Sequence, residues 1–336
     1  MPDLLNVEKL TISFRTDEGR ITPVQDVSFT VQKGRTLGLV GESGSGKSVS
    51  TKALMKLLPG SAAIAPEARM HYTAKDGRRI EIETLDPRSR AIRRLRGGEI
   101  GMIFQEPMAS FSPVYTVGNQ MIEAIRLHRE PNARAAREIA IAMLERVGLS
   151  DPGTRIDQYP HEMSGGMRQR AMIALALSAG PQLLIADEPT TALDVTIQAQ
   201  VLDLMRELQR DLGMGMIFIT HDLGVIAQIA DEVAVMYLGT IVERGPTADV
   251  IRDPKHPYTQ GLLAAIPSLE RLDARMTPVP GDIPSPSERP AGCPFHTRCG
   301  QAIAGLCGAR APREVRPEAD RAVRCWLHDE AGRSAA

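Results

Sequence analysis

The chain has 336 residues, 43% of them hydrophobic, which is enough for one large core or a core with an extension. Its formal net charge of −1 leaves no global field for nucleic acid or an anionic membrane surface, so no nucleic-acid partner is expected. No apolar run reaches the roughly 20 residues that span a bilayer, and Met1-Pro2-Asp3-Leu4 lacks the basic-then-apolar pattern of a secretion signal. Membrane association is therefore expected only through a partner.

In chain order, residues 4–14 and 24–31 alternate apolar and polar side chains and predict two strands of a sheet with one wet face. Residues 37–40 predict a short buried strand and residues 48–58 the helix that follows it. Between them lies Gly41-Glu42-Ser43-Gly44-Ser45-Gly46-Lys47-Ser48, a complete G-x-x-x-x-G-K-[ST] phosphate-binding loop. In such a loop backbone N–H groups cradle phosphates, the lysine reaches the β and γ oxygens, and the hydroxyl ligates Mg²⁺. The helix N-terminus adds its partial positive charge, and the glycines let backbone approach the anion. A nucleoside triphosphate is the expected ligand.

Residues 59–98 are polar and Arg-rich, with a strand expected near 80–82 and no functional reading. Residues 99–104 predict another strand, and residues 117–128, 135–147 and 165–178 predict three helices. Alternation then returns, with strands at 183–186, 216–220 and 233–237 around a helix at 195–212. This pattern implies a largely parallel sheet with helices on both faces and an inserted helical subdomain at about 116–180. The core is expected to end near 253, leaving 254–336 as an extension. Within it, residues 278–290 hold five prolines in thirteen positions and predict a stiff, extended linker. All four cysteines (Cys293, Cys299, Cys307 and Cys325) fall in the last 44 residues, a clustering that suggests a metal site more than disulfides in a reducing compartment.

A phosphate loop needs a carboxylate for Mg²⁺ and a group to activate water. Leu183-Leu184-Ile185-Ala186-Asp187-Glu188 ends an apolar strand with both: Asp187 suits the metal and Glu188 a general base. With these motifs the chain resembles the ATPase subunit of an ATP-binding-cassette (ABC) transporter. Met163-Ser164-Gly165-Gly166-Met167 is similar to the family's L-S-G-G-Q signature, with Met for Leu and Met for Gln. The resemblance implies a P-loop NTPase (RecA-like) α/β core with a small antiparallel β subdomain, an inserted α-helical subdomain and a Cys-rich C-terminal extension. It implies that Gly41, Ser43, Gly44, Ser45, Gly46, Lys47 and Ser48 hold ATP, with Ser48, Gln105 and Asp187 around Mg²⁺. It gives Glu188, Gln105 and His221 catalytic roles and sets Phe14 against adenine. Ser164, Gly165, Gly166 and the Asp194 of Thr191-Ala192-Leu193-Asp194 meet a second ATPase subunit, so that ATP lies sandwiched between the two.

Two further segments narrow the resemblance to the oligopeptide, dipeptide and nickel importers. One is His256-Pro257-Tyr258-Thr259 followed by residues 261–267; the other is residues 106–113 after Gln105. These importers imply a partner ATPase, usually non-identical, two transmembrane permease subunits and an extracytoplasmic solute-binding protein. They place the chain peripherally on the cytoplasmic face of the cell (inner) membrane. Peptides lead the expected solutes, with nickel or another small solute, or a soluble non-transport ATPase, as alternatives. The cysteine spacing C-x5-C-x7-C-x17-C is similar to the extension of dipeptide-type subunits, which implies a 4Fe-4S cluster. Zn²⁺ and empty thiols stay open, the close C-x(2–4)-C pairs usual for zinc being absent. His296 and His328 stand as possible substitute ligands.

Overall fold

The structure is a computed structural model that describes residues 3–17, 19–105, 110–191, 193–266, 279–330 and 334. Residues 106–109, Ala192, Pro267 and Pro278, used in the reading above, lie outside the described residues. The chain opens with β1 (Asp3–Thr16), β2 (Gly19–Gln32), β3 (Thr36–Val40) and α1 (Lys47–Leu54). Next come β4 (Ala62–Ile64), β5 (Arg69–Thr73), β6 (Arg79–Glu81), α2 (Arg90–Leu95) and β7 (Ile100–Ile103). A helical block follows: α3 (Val117–His128), α4 (Ala133–Arg146), α5 (Pro152–Arg155) and α6 (Gly165–Ser178). Then come β8 (Leu183–Asp187), α7 (Val195–Leu212), β9 (Gly215–Thr220), α8 (Leu223–Ile229), β10 (Glu232–Tyr237) and β11 (Thr240–Pro246). The chain closes with α9 (Thr247–Arg252), α10 (Pro257–Ala264), β12 (Val315–Glu318) and β13 (Arg321–Val323).

Among the described residues two sheets organise these elements. An antiparallel sheet runs β2-β1-β5-β6, with β4 also on β1. Its strands alternate because one face packs on a core and the other is wet: Leu5, Leu10, Ile12, Val24 and Val27 are fully buried. The main sheet runs β12-β13-β11-β10-β3-β9-β8-β7. Here β10, β3, β9, β8 and β7 are mutually parallel. Helices cover one face of this sheet, and the antiparallel sheet with α1 and α2 covers the other where helices alone were expected; β3, β8 and β9 are buried along their whole length, which is why they read as unbroken apolar runs. Register aligns the strand ends: Val40 pairs with Thr220, Asp187 with Ile219 and Ile103 with Ala186. Everything leaving the carboxyl ends of β3, β9, β8 and β7 therefore emerges at one edge.

The helical block follows the sequence closely. Thr116, Asn132 and Ser164 cap α3, α4 and α6 through side-chain oxygens that accept backbone N–H bonds. Other expectations change. The helix foreseen over 48–58 stops at Leu54, because Lys56 turns left-handed (φ 50°) and its Nζ donates to the Glu83 carbonyl at 2.8 Å. Residues 59–98 supply β4, β5, β6 and α2 to the antiparallel sheet and its cover. The described part of the proline-rich stretch lies against the core instead of spanning free: Arg289 donates to the Leu238 carbonyl and to Thr240 Oγ1 (2.6 Å). Beyond 253 the chain returns to the main sheet, where Val323 of β13 pairs with Glu243 of β11. The Arg321–Glu243 ion pair (2.8 Å, both buried) ties that return. The same carboxylate accepts the N–H groups of Lys255 (2.8 Å) and His256 (2.9 Å). No helix among the described residues is long and apolar enough to cross a membrane.

His256 is itself buried, its Nδ1 accepting the Tyr258 N–H at 3.0 Å. Burial, with a smaller contribution from His328, pushes its pKa down from 6.5 to about 3. The folded chain thus stays unprotonated at His256 where the unfolded chain takes up a proton. Stability from this residue is complete above the unfolded value and is lost as pH falls from about 6.5 toward 3. We expect acidification from pH 7.5 to 5 to cost about 2 kcal/mol through His256. Urea midpoints should show a shallower pH dependence in His256→Asn, and equal slopes would remove His256 as the cause.

Candidate active site

The phosphate loop leaves β3 at Gly41 and enters α1 at Lys47. Two of its glycines are required by their neighbours. A Cβ on Gly41 would meet the Met236 carbonyl oxygen at 2.1 Å, and one on Gly46, at φ 97°, would meet the Pro23 carbonyl oxygen at 2.4 Å. Gly44, also left-handed, faces open space. Ser45 is buried and its carbonyl accepts the Gly239 N–H at 2.9 Å, while Ser43 is exposed. Lys47, buried, spans the loop and donates to Gly41 O (2.6 Å), Glu42 O (3.0 Å) and Ser45 Oγ (3.2 Å). Desolvation lowers its pKa, opposed by the charges of Glu188, Asp187 and Glu42.

The other strand ends supply the rest. Ser48 Oγ donates to Asp187 Oδ1 at 2.8 Å, which joins the loop to β8. Burial raises the Asp187 pKa, partly offset by the Ser48 hydrogen bond and by Lys52. Glu188, left-handed at φ 49°, has its N–H bonded to Ile219 O (3.0 Å) and its side chain mostly buried. Its Oε2 accepts Gln105 Nε2 at 3.2 Å and Thr191 Oγ1 at 2.9 Å, and His221 Nδ1 stands 3.7 Å away. Gln105 follows β7 and His221 follows β9. One carboxylate oxygen therefore gathers residues from three strand ends and the loop after Glu188. Near one lysine stand three carboxylates, Glu42, Asp187 and Glu188, and the oxygens of Ser48 and Asp187 are the hard donors a magnesium ion takes. Those two residues fit Mg²⁺.

Phe14, half-buried on β1, pairs with Ile21, two residues before the Pro23 carbonyl that abuts Gly46. Ser164 caps α6 by accepting the Met167 N–H at 3.3 Å, and Gly165 is exposed beside it. Asp194 caps α7, accepting the Ile197 N–H at 2.9 Å. Gly166 approaches the Ile197 side chain, so Ser164 and Asp194 start neighbouring helices. These three segments do not share the Glu188 hydrogen-bond network. Sequence reading placed Thr191 only in the loop that faces a second subunit, not on Glu188, and gave no role to Gln169, whose buried amide donates to the Pro189 carbonyl and couples α6 to the segment after Glu188. No periodicity or spacing singles out either contact, since each depends on tertiary approach.

The four cysteines are all free thiols. Among the described residues no group of three or more His, Cys, Asp or Glu stands in position to hold a metal ion, so the expected metal centre, zinc included, is not supported at ion-binding distances. Their surroundings are nonetheless shared. The Cys293 N–H bonds to Cys307 O at 2.7 Å, and the Ile303 N–H donates to Cys307 Sγ at 3.3 Å. Burial pushes the Cys293 thiol up to about 11, with smaller contributions from Cys307 and Cys299, and the Cys325 thiol up to about 12, with smaller contributions from the other three cysteines. His296 Nδ1 and His328 Nε2 are engaged with the carbonyls of Cys293 and Lys255.

Comparison with known proteins agrees with this geometry. The ABC transporter family matches residues 24–191, and the oligopeptide/dipeptide transporter C-terminal region matches residues 242–307. A putative peptide import ATP-binding protein of Brucella abortus is 49% identical over 315 residues, 92% of each chain. The dipeptide transport ATP-binding protein DppD of Bacillus subtilis is 46% identical over 330 residues, 98% of this chain and 96% of its own. Among solved structures, cbiO1 of Clostridium perfringens, part of the ABC transporter complex cbiONQ, superposes with a TM-score of 0.62 at 25% identity, over 75% of this chain and 92% of that one. The dimeric ATP-binding cassette MJ0796, bound to ADP and Pi, shares the fold with a TM-score of 0.62 at 23% identity, over 72% and 98%.

Gly46→Ala forces both a left-handed alanine and a clash with backbone, so we expect it to cost about 2–3 kcal/mol. Gly44→Ala, strained but unobstructed, should cost about 1 kcal/mol. Thermal unfolding of the two variants compares them directly, and equal losses would show that the Pro23 contact is not limiting.

Proposed function

The chain belongs to the ABC transporter family of ATP-binding subunits, and we propose that it hydrolyses ATP to drive uptake of peptides through a membrane permease. The Glu188 network carries this reading, because it sets a general base, its orienting partners and the phosphate loop at one strand edge. In this reading the backbone N–H groups of residues 41–48 and Lys47 bind the β and γ phosphates, and Phe14 packs on the base. Ser48, Asp187 and Gln105 would hold Mg²⁺, which when bound neutralises phosphate charge. Glu188 accepts a proton from the attacking water, with Gln105 and His221 orienting water and γ-phosphate. The peptide assignment rests on the similarity to the Brucella and Bacillus relatives and on the matched C-terminal region.

The partners follow from exposed chemistry. Ser164, Gly165 and Asp194 at neighbouring helix starts, beside the highly exposed Val195, suit the face of a second, non-identical ATPase. The exposed Leu127 of α3, with Val114 and Tyr115 just before that helix, suits contact with two permease subunits, which would hold the chain at the cytoplasmic face of the inner membrane and receive solute from a binding protein. Residues 1–253, with the helical subdomain at 116–180, form the ATPase unit and residues 254–336 the extension. The four free, mutually interacting thiols suit a 4Fe-4S cluster, whose ligands stand farther apart than those of a single ion. The raised thiol pKa values of Cys293, Cys299 and Cys325 mean that binding must displace protons.

Glu188→Gln is expected to slow ATP hydrolysis by a factor on the order of 10² or more while MgATP still binds; wild-type turnover would remove Glu188 as the base. Cys299→Ser should lose bound iron, measured on anaerobically purified protein, and keep nucleotide affinity. Iron content equal to wild type would sink the cluster. Affinity purification from gently solubilised native membranes tests the whole reading. Two multi-span permeases and a second ATPase support it; recovery without integral membrane partners overturns it.

A further inference from the structure

Glu42 is the one acidic residue of the phosphate loop, and a bare carboxylate there would repel the triphosphate that the loop is built to hold. Its counter-charge comes from the far end of the chain. Arg298 Nη1 donates to Glu42 Oε2 at 2.8 Å and Nη2 to Oε1 at 3.2 Å, a bidentate pair. The guanidinium is buried and held in place on its other sides. Nε donates to Pro280 O (2.8 Å), Nη2 to Val279 O (3.3 Å), and Nη1 reaches Tyr237 Oη (3.5 Å).

A second contact grips the same residue by its backbone. The Glu42 N–H donates to Tyr258 Oη at 2.9 Å. Tyr258 is fully buried in an aromatic group with Tyr237 and Phe295, at centroid separations of 4.8 and 5.3 Å. Phe295 and Arg298 belong to the segment between Cys293 and Cys299. On its inner side the Glu42 carbonyl accepts Lys47 Nζ at 3.0 Å and the Ser45 N–H at 3.2 Å. A continuous line of contacts therefore runs from the cysteine segment through Glu42 to the phosphate-binding lysine.

We propose that the C-terminal segment latches the phosphate loop, with Arg298 and Tyr258 as positioning residues that act on ATP through Glu42. The latch rests on the ATPase reading above and deepens it. Arg298 neutralises a carboxylate beside the phosphates, and Tyr258 fixes the peptide whose carbonyl holds Lys47. A brace that only stabilised the fold would be indifferent to the charge of the nucleotide and to the charge at position 42.

Titration of the full-length chain with MgATP and with MgADP separates the two. Arg298→Met should weaken MgATP binding on the order of tenfold, MgADP binding less, and the loss should shrink with added salt. Glu42→Gln combined with Arg298→Met should return MgATP affinity to within about threefold of wild type, since the offending charge is gone. In steady state the single variant should raise KM for ATP more than it lowers kcat. A folded Arg298→Met that binds MgATP as wild type does, or a double variant that stays as weak as the single, overturns the latch. Should Arg298→Met not fold, Arg298→Lys and Tyr258→Phe replace it, and unchanged MgATP affinity in both overturns the latch. A wild-type chain that binds no MgATP would instead overturn the ATPase reading.

Discussion

The site depends on four parallel strands that end together. Because β3, β9, β8 and β7 are neighbours in register, the residues that follow them are delivered to one edge without any long-range search by individual side chains. Gly41, His221, Asp187 with Glu188, and Gln105 are those residues. Both faces of these strands are covered, one by helices and the other by the antiparallel sheet with α1 and α2, and that cover demands the unbroken apolar runs of β3, β8 and β9. The buried hydrophobic sheet and the polar edge are thus one construction. Charge at that edge is then settled from near and far: Arg298 pairs with Glu42, while Lys47 faces Asp187 and Glu188, an arrangement that suits a triphosphate accompanied by a divalent cation.

Much of this was legible in the sequence because the relevant signals are short. The phosphate loop, the Asp187-Glu188 strand end and the helices α3, α4, α6 and α7 each occupy a contiguous stretch with its own periodicity or cap. What was not legible depends on distance along the chain. The strands β4 and β5 are only three and five residues long, and they form because β1 offers edges to pair with. The helix after the phosphate loop ends early for a tertiary reason, the bond from Lys56 to Glu83. The return of β13 to β11 rests on a buried ion pair between residues 78 apart, which no local window contains.

The C-terminal segment joins these two levels. Its prolines suggested a stiff, extended linker, but Arg289 bonds the Leu238 carbonyl and Thr240, and Arg298 joins the carbonyls of Val279 and Pro280 to Glu42, so the described stretch is held at both ends. Its cysteines suggested a metal, and the structure supplies free thiols that feel one another without closing on a single ion. The aromatic group of Tyr237, Tyr258 and Phe295 is what lets one segment serve both neighbours: it packs on β10 at one side and on the cysteine turn at the other.

The contact between Glu42 and Arg298 spans 256 positions. At ribosomal rates of about 5–20 residues per second, the phosphate loop emerges roughly 13 to 50 s before the arginine that pairs with it. During that interval every other part of the nucleotide edge has been made, since β7, β8 and β9 all lie between the two. The nascent chain therefore passes through a period in which the edge is complete but its acidic loop residue has no counter-charge. Under the proposed latch, a chain released before Arg298 is held in that condition, and full strength at the nucleotide site waits on synthesis of that residue.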